Sequence, residues 1–135
     1  MKKINVLLLL IVLVGCGQKK GEEVEKKIAQ PAPIASISFD TKILDMGSVT
    51  EGDTLVAKFN FVNNSRNDLL IEYVNPDCIC TTFTLSDKKL RPGKNGLITL
   101  VLDTHGKRGP QRIYAVVKAN TKSKFHRLLM KVNVN

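Results

Sequence analysis

From Ser36 to the C-terminus, apolar residues recur at every second position, and this period restricts the chain to strands. Leu55, Ala57, Phe59 and Phe61 alternate with Val56, Lys58, Asn60 and Val62, which gives one mostly apolar face. Leu69, Ile71 and Tyr73 form a second set, and Ile98, Leu100 and Leu102 a third. Ile113 to Ala119 and Leu128 to Val134 repeat the pattern. Between these runs stand clusters of turn formers, at Asn63–Asp68, Asn75-Pro76-Asp77, Arg91–Gly96, His105–Pro110 and Asn120–Ser123. With Ser36–Asp40 and Ile43–Val49 added, seven or eight short strands are predicted, and no helical period competes after residue 35. Strands of this length bury their apolar faces best as two packed sheets, so an all-β sandwich is expected, with a small barrel as the alternative.

The first 35 residues obey different rules. Lys2 and Lys3 precede an apolar run from Ile4 to Val14, broken only by Asn5, in the charge-then-apolar order of a secretory signal peptide. A helix needs about 20 apolar residues to cross a bilayer, so the run is too short for a permanent span. It ends in Leu13-Val14-Gly15-Cys16, which resembles the bacterial lipobox. Cleavage before Cys16 and acylation there, by diacylglycerol and a palmitate-like chain, are therefore expected. Residues 17–35 are charged and poor in apolar groups, and end at Pro31 and Pro33, as in a solvated tether that spans about 60 Å when fully extended. The expected organisation is a signal peptide over 1–15, a lipidated flexible linker over 16–35 and a β-sandwich over 36–135. Gly17, where an aspartate would favour inner-membrane retention, resembles the outer-membrane pattern, on either its periplasmic face or the cell surface.

The whole chain carries a formal charge of +9, and losing Lys2 and Lys3 with the signal leaves +7. The basic residues are spread along the sequence, as on a solvated surface, and an exported protein would rarely meet nucleic acid. Of three cysteines, Cys16 is consumed by lipid, which leaves Cys78 and Cys80 as one candidate pair in a compartment that permits disulfides.

Several segments together are similar to a known family. Phe39-Asp40 through Leu44–Val49 and Glu51-Gly52-Asp53, the strand Phe59-Asn60-Phe61-Val62-Asn63-Asn64, Cys78-Ile79-Cys80-Thr81, Arg91-Pro92-Gly93 and Gly106-Lys107-Arg108-Gly109-Pro110 occur in that family's order and spacing. They resemble the bacterial "domain of unknown function 1573" lipoproteins, related to the immunoglobulin-like domains of Hydin-type ciliary and centrosomal proteins. The resemblance covers residues 37 to 134 and implies an Ig-like sandwich in the cell envelope, with no established catalytic activity. Ile79 stands where the family usually has glycine, and a β-branched residue disfavours positive φ, so an extended backbone is expected there.

An extended segment would place both sulfurs on one face, with Cα atoms about 6.5 Å apart, near the upper limit for a disulfide. Such a bond would be strained and easily reduced. Three uses of Cys78 and Cys80 stand open: a local bridge or two buried thiols, a two-thiolate Cu(I) site, or a labile redox pair. Met46, Met130, His105 and His126 are scattered singly and form no metal motif, so no cofactor or metal is assigned. Gly106–Pro110 lacks the spacing of a phosphate loop and reads as a hairpin turn with basic decoration. No nucleophile elbow, zinc motif or placed acid pair is present in the sequence. The expectation is a non-enzymatic, membrane-anchored module that binds an envelope protein or glycan; the alternative is a Cu(I)-binding or redox protein working through Cys78 and Cys80.

Overall fold

A computed structural model of the chain describes residues 33–135. The lipobox, Cys16 and most of the expected linker lie outside the described residues. Nine strands form two sheets, with no helix among the described residues and none long and apolar enough to cross a membrane. Strands β1 (Ile37–Phe39), β3 (Thr54–Asn63), β7 (Asn95–Asp103) and β5 (Thr81–Leu85) form a four-stranded sheet in the order β1-β3-β7-β5. Strands β2 (Ile43–Val49), β9 (Phe125–Val134), β8 (Gly109–Ala119), β4 (Leu69–Pro76) and β6 (Lys89–Leu90) form the other, in the order β2-β9-β8-β4-β6. The described residues form an all-β, Ig-like sandwich. Its two extra strands, β5 and β6, come from the stretch after Cys80, where Thr-Thr-Phe-Thr-Leu carries too weak an alternation to announce a strand.

The period-two residues account for the core. Ala57, Phe59 and Phe61 of β3 and Ile98, Leu100 and Leu102 of β7 are buried. They face Leu69 and Ile71 of β4, Ala115 and Val117 of β8, and Leu128, Met130 and Val132 of β9. β3 and β7 pair without a break from Thr54↔Asp103 to Val62↔Asn95. All strand pairs are antiparallel except β2 with β9, whose register shifts between Asp45 and Ser48. β1 and β2 thus divide the first apolar segment between the two sheets.

The long strands β3, β7, β8 and β9, at about 3.3 Å per residue, run between two poles about 30 Å apart. The chain enters at one pole. There Asn120 Nδ2 donates to Pro33 O at 2.9 Å and to Asp68 O at 3.0 Å, while Asn120 Oδ1 accepts Leu70 N at 2.7 Å. Ala35 forms a parallel bridge with Thr121, and Asn67 Nδ2 donates to Ile34 O. At the opposite pole lie the turns after β2, β4 and β7. Gly106–Pro110, which reads as a hairpin turn, instead belongs to a connection that crosses from the four-stranded to the five-stranded sheet and runs into the start of β8, because β7 and β8 lie in different layers.

Candidate functional site

The far pole is assembled by hydrogen bonds between its turns. Thr104, fully buried, donates from Oγ1 to Asp53 O at 2.7 Å and to Thr50 O at 3.3 Å. Glu51 accepts from Gly106 N at 2.6 Å, and its Oε1 lies 3.6 Å from His105 Nδ1. Gly106 and Gly109 adopt φ of 72° and 70°, values that side chains rarely tolerate, and so set the bend that presents Lys107 between them.

Asp77 fixes the neighbouring turn to β8, through its N–H to Tyr114 O at 2.9 Å and its Oδ1 accepting Tyr114 N at 3.0 Å. Cys78-Ile79-Cys80-Thr81 is then a β-turn, closed by Thr81 N to Cys78 O at 3.0 Å, rather than the expected extended segment. The commonest β-turns keep both central residues at negative φ, so the β-branched Ile79 does not oppose the bend. Cys78 and Cys80 are joined as a disulfide with Cα atoms 5.1 Å apart, closer than the extended spacing would set them and within the range a disulfide spans. Both cysteines pack at the lip of the core, partly buried, while Ile79 is fully exposed.

The two sulfurs differ in their neighbours. Lys107 Nζ lies 3.6 Å from Cys78 Sγ, and Cys80 N donates to the same sulfur at 3.3 Å. Among the described residues, Cys80 Sγ has only the Thr81 hydroxyl, at 3.7 Å. The sequence singled out the cysteine pair and the Gly-Lys-Arg-Gly-Pro loop separately. Their meeting depends on the crossing between sheets, which no local pattern reveals.

The remaining candidate ligands stay apart. Met130 is fully buried, and Met46 packs against the core. His105 belongs to the far pole, whereas His126 sits near the chain's point of entrance, with Nε2 2.8 Å from Thr121 Oγ1. Among the described residues, no group of three or more His, Cys, Asp or Glu is placed to hold a metal. His126 has its pKa lowered, by burial first and by the Lys42 charge second. The fold therefore favours neutral imidazole, and stability is complete above the ordinary value of 6.5 and declines as pH falls below it. His126→Gln should flatten the fall in melting temperature between about pH 7 and pH 5; parallel curves for the two proteins would refute this assignment.

A second feature runs down the flank beside the cysteine turn. Among the described residues β5 is an edge strand that pairs only with β7, and β6 pairs only with Leu69 and Leu70 of β4. Cys80 O and Ser86 N bond to β7, so by alternation the backbone groups of Phe83 and Leu85 point to the open side. Phe83 is 42 % exposed and Tyr73 on β4 is 44 % exposed. Lys118 lies 5.8 Å from the Tyr73 ring centroid and pairs with Glu72, whose hydrogen bond raises its pKa.

Residues 37–134 match the family described as "Protein of unknown function (DUF1573)". The chain belongs to that family. Its sandwich is similar to several solved structures. One is a protein of unknown function from Porphyromonas gingivalis W83, with 18 % identity, a TM-score of 0.67, and coverage of 77 % of this chain and 49 % of that one. This DUF1573 chain thus spans about half the length of that protein. The human CEP192 ASH/PapD-like domain 7 aligns at 10 % identity and a TM-score of 0.54, covering 99 % of this chain and 98 % of its own. The Vibrio cholerae VesB protease aligns at 11 % identity and 0.58, over 73 % of this chain and 31 % of that one. At these identities the likeness shows the fold alone. No curated protein matches the DUF1573 sequence.

Proposed function

We propose that this DUF1573 protein is a non-enzymatic recognition module of the bacterial cell envelope. Lipid on Cys16 would hold it to a membrane, the outer membrane by the Gly17 pattern, and its open β5 edge would bind an extended segment of a partner protein. The anchor is supported by the signal-like order of Lys2 to Val14 and the lipobox-like Leu13–Cys16. The observation that carries the binding mode is the unguarded edge at Phe83.

Edge strands in monomeric proteins are commonly blunted by charge, proline or a bulge. Thr81-Thr82-Phe83-Thr84-Leu85 contains neither a charge nor a proline, and its register with β7 is unbroken. Free donors and acceptors at strand spacing select a polypeptide over a glycan, and the half-exposed Phe83 offers apolar contact to a side chain of the added strand. A photoreactive phenylalanine at position 83 of the intact lipoprotein in membranes is expected to give one reproducible protein adduct. The same probe at Lys58, exposed on the outer face of β3, should not. Equal labelling from both positions, or none from position 83, would remove the edge from consideration.

A further inference from the structure

The geometry points to the Cys78–Cys80 disulfide as a thiol–disulfide exchange site, with Cys80 Sγ the sulfur attacked, Cys78 the leaving thiolate and Lys107 its positioning cation, acting on a polypeptide dithiol. This inference rests on the turn chemistry and is independent of whether the β5 edge is occupied. Three observations converge on it.

The bond is first of all dispensable to the fold. It spans two positions in sequence, and a loop that small gives little chain-entropy stabilisation. The turn is already closed by Thr81 N to Cys78 O, and its ends are tied by Asp77 to Tyr114 and by Asp103 N to Cys80 O at 3.0 Å. The bond is also within reach, at a pole of the molecule beside the fully exposed Ile79, an apolar contact suited to a peptide chain.

The third observation is the asymmetry of the sulfurs. Two groups that stabilise negative charge, the Lys107 ammonium and the Cys80 N–H, converge on Cys78 Sγ, and among the described residues none approaches Cys80 Sγ comparably. Exchange is faster when the departing sulfur is the better stabilised thiolate. An incoming thiolate therefore attacks Cys80 Sγ. A new S–S bond forms between partner and Cys80, the Cys78–Cys80 bond breaks, and its electron pair leaves on Cys78 Sγ beside Lys107. The partner's second thiolate then attacks its own sulfur in the mixed disulfide and expels Cys80 as thiolate. The partner dithiol has lost two electrons and two protons and become a disulfide, and Cys78 and Cys80 are left as the reduced pair. One disulfide is transferred per chain.

The test uses the full-length chain and a reduced peptide carrying two cysteines, with bond opening followed by mass spectrometry of alkylated thiols. The wild-type bond is expected to open with stoichiometric oxidation of the peptide. Lys107→Gln should slow opening by roughly fivefold to tenfold, Lys107→Arg should restore most of the rate, and Arg108→Gln should change it less than about twofold. Thermal unfolding of the oxidised Lys107→Gln protein should match wild type, which separates a role in exchange from one in folding. A bond that resists the peptide while the unfolded chain's bond opens would overturn the proposal. So would equal rates for Lys107→Gln and wild type, or opening by mixed disulfide to Cys78 rather than Cys80.

Discussion

Replacing Asn63 with leucine should destabilise the domain by about 3 kcal/mol, although the two side chains are similar in size. Asn63 is fully buried at the end of β3 and uses both ends of its amide. Its Nδ2 donates to Leu90 O at 2.9 Å and to Asn67 O at 2.8 Å; its Oδ1 accepts from Ser65 N at 3.0 Å and Ser65 Oγ at 2.7 Å. One side chain thus shapes the 64–68 turn and pins β6, which comes from the far side of the sequence, to that turn. Leucine would remove all four of these bonds from a buried position, at about 1 kcal/mol each, less what the more exposed Ser65 and Asn67 groups recover from water. Asn63→Asp tests the account further. It keeps the acceptor for Ser65 but sets a carboxylate against two carbonyls, so it should be at least as damaging at neutral pH and recover in acid. Urea unfolding of the three proteins measures this; an Asn63→Leu midpoint equal to wild type would sink the assignment.

A comparable loss, about 2–3 kcal/mol, is expected for Gly96→Ala. Gly96 opens the buried part of β7 directly across from Phe61, and a β-carbon there would overlap the outer edge of the Phe61 ring. Phe61 is 1 % exposed and packs at a tilt against Phe39 with ring centroids 5.7 Å apart, so it can yield only by displacing core neighbours. The glycine is needed for the space it leaves. Phe61→Leu alone should also destabilise, by removing ring contacts, yet combined with Gly96→Ala it should recover part of the loss. That non-additivity, read as a coupling of at least about 1 kcal/mol in a double-mutant cycle, is the diagnostic result; strictly additive losses would place the defect elsewhere.

Both residues show where a sequence is readable. The period-two runs of β3, β7, β8 and β9 disclosed the sandwich and nearly all of its core, because burial on one sheet face writes itself into alternate positions. Asn63 reads locally as the first residue of a turn, and Gly96 as the end of one. Their buried roles follow from partners 27 residues or more away in sequence, Leu90 for Asn63, and Phe61 for Gly96 across the β3–β7 ladder. The Cys-x-Cys spacing was legible, but its conformation was not: Ile79 argued for extension, and the fixing of Asp77 to Tyr114 and Cys80 to Asp103 argued more strongly for a turn. Lys107 was legible as one lysine of a basic loop. Its approach to Cys78 required knowing that β7 and β8 lie in opposite sheets.

The placement of the chain's point of entrance and the cysteine turn at opposite poles has a mechanical consequence. A pull on Pro33 against a partner held at the Cys78–Cys80 turn acts along the strands, at right angles to the ladder hydrogen bonds. Ile37–Phe39 against Phe61–Asn63, and the Asn120 clamp on Pro33 and Asp68, would then be sheared together instead of opened one after another. Under tension the domain works as a splice, not a zipper.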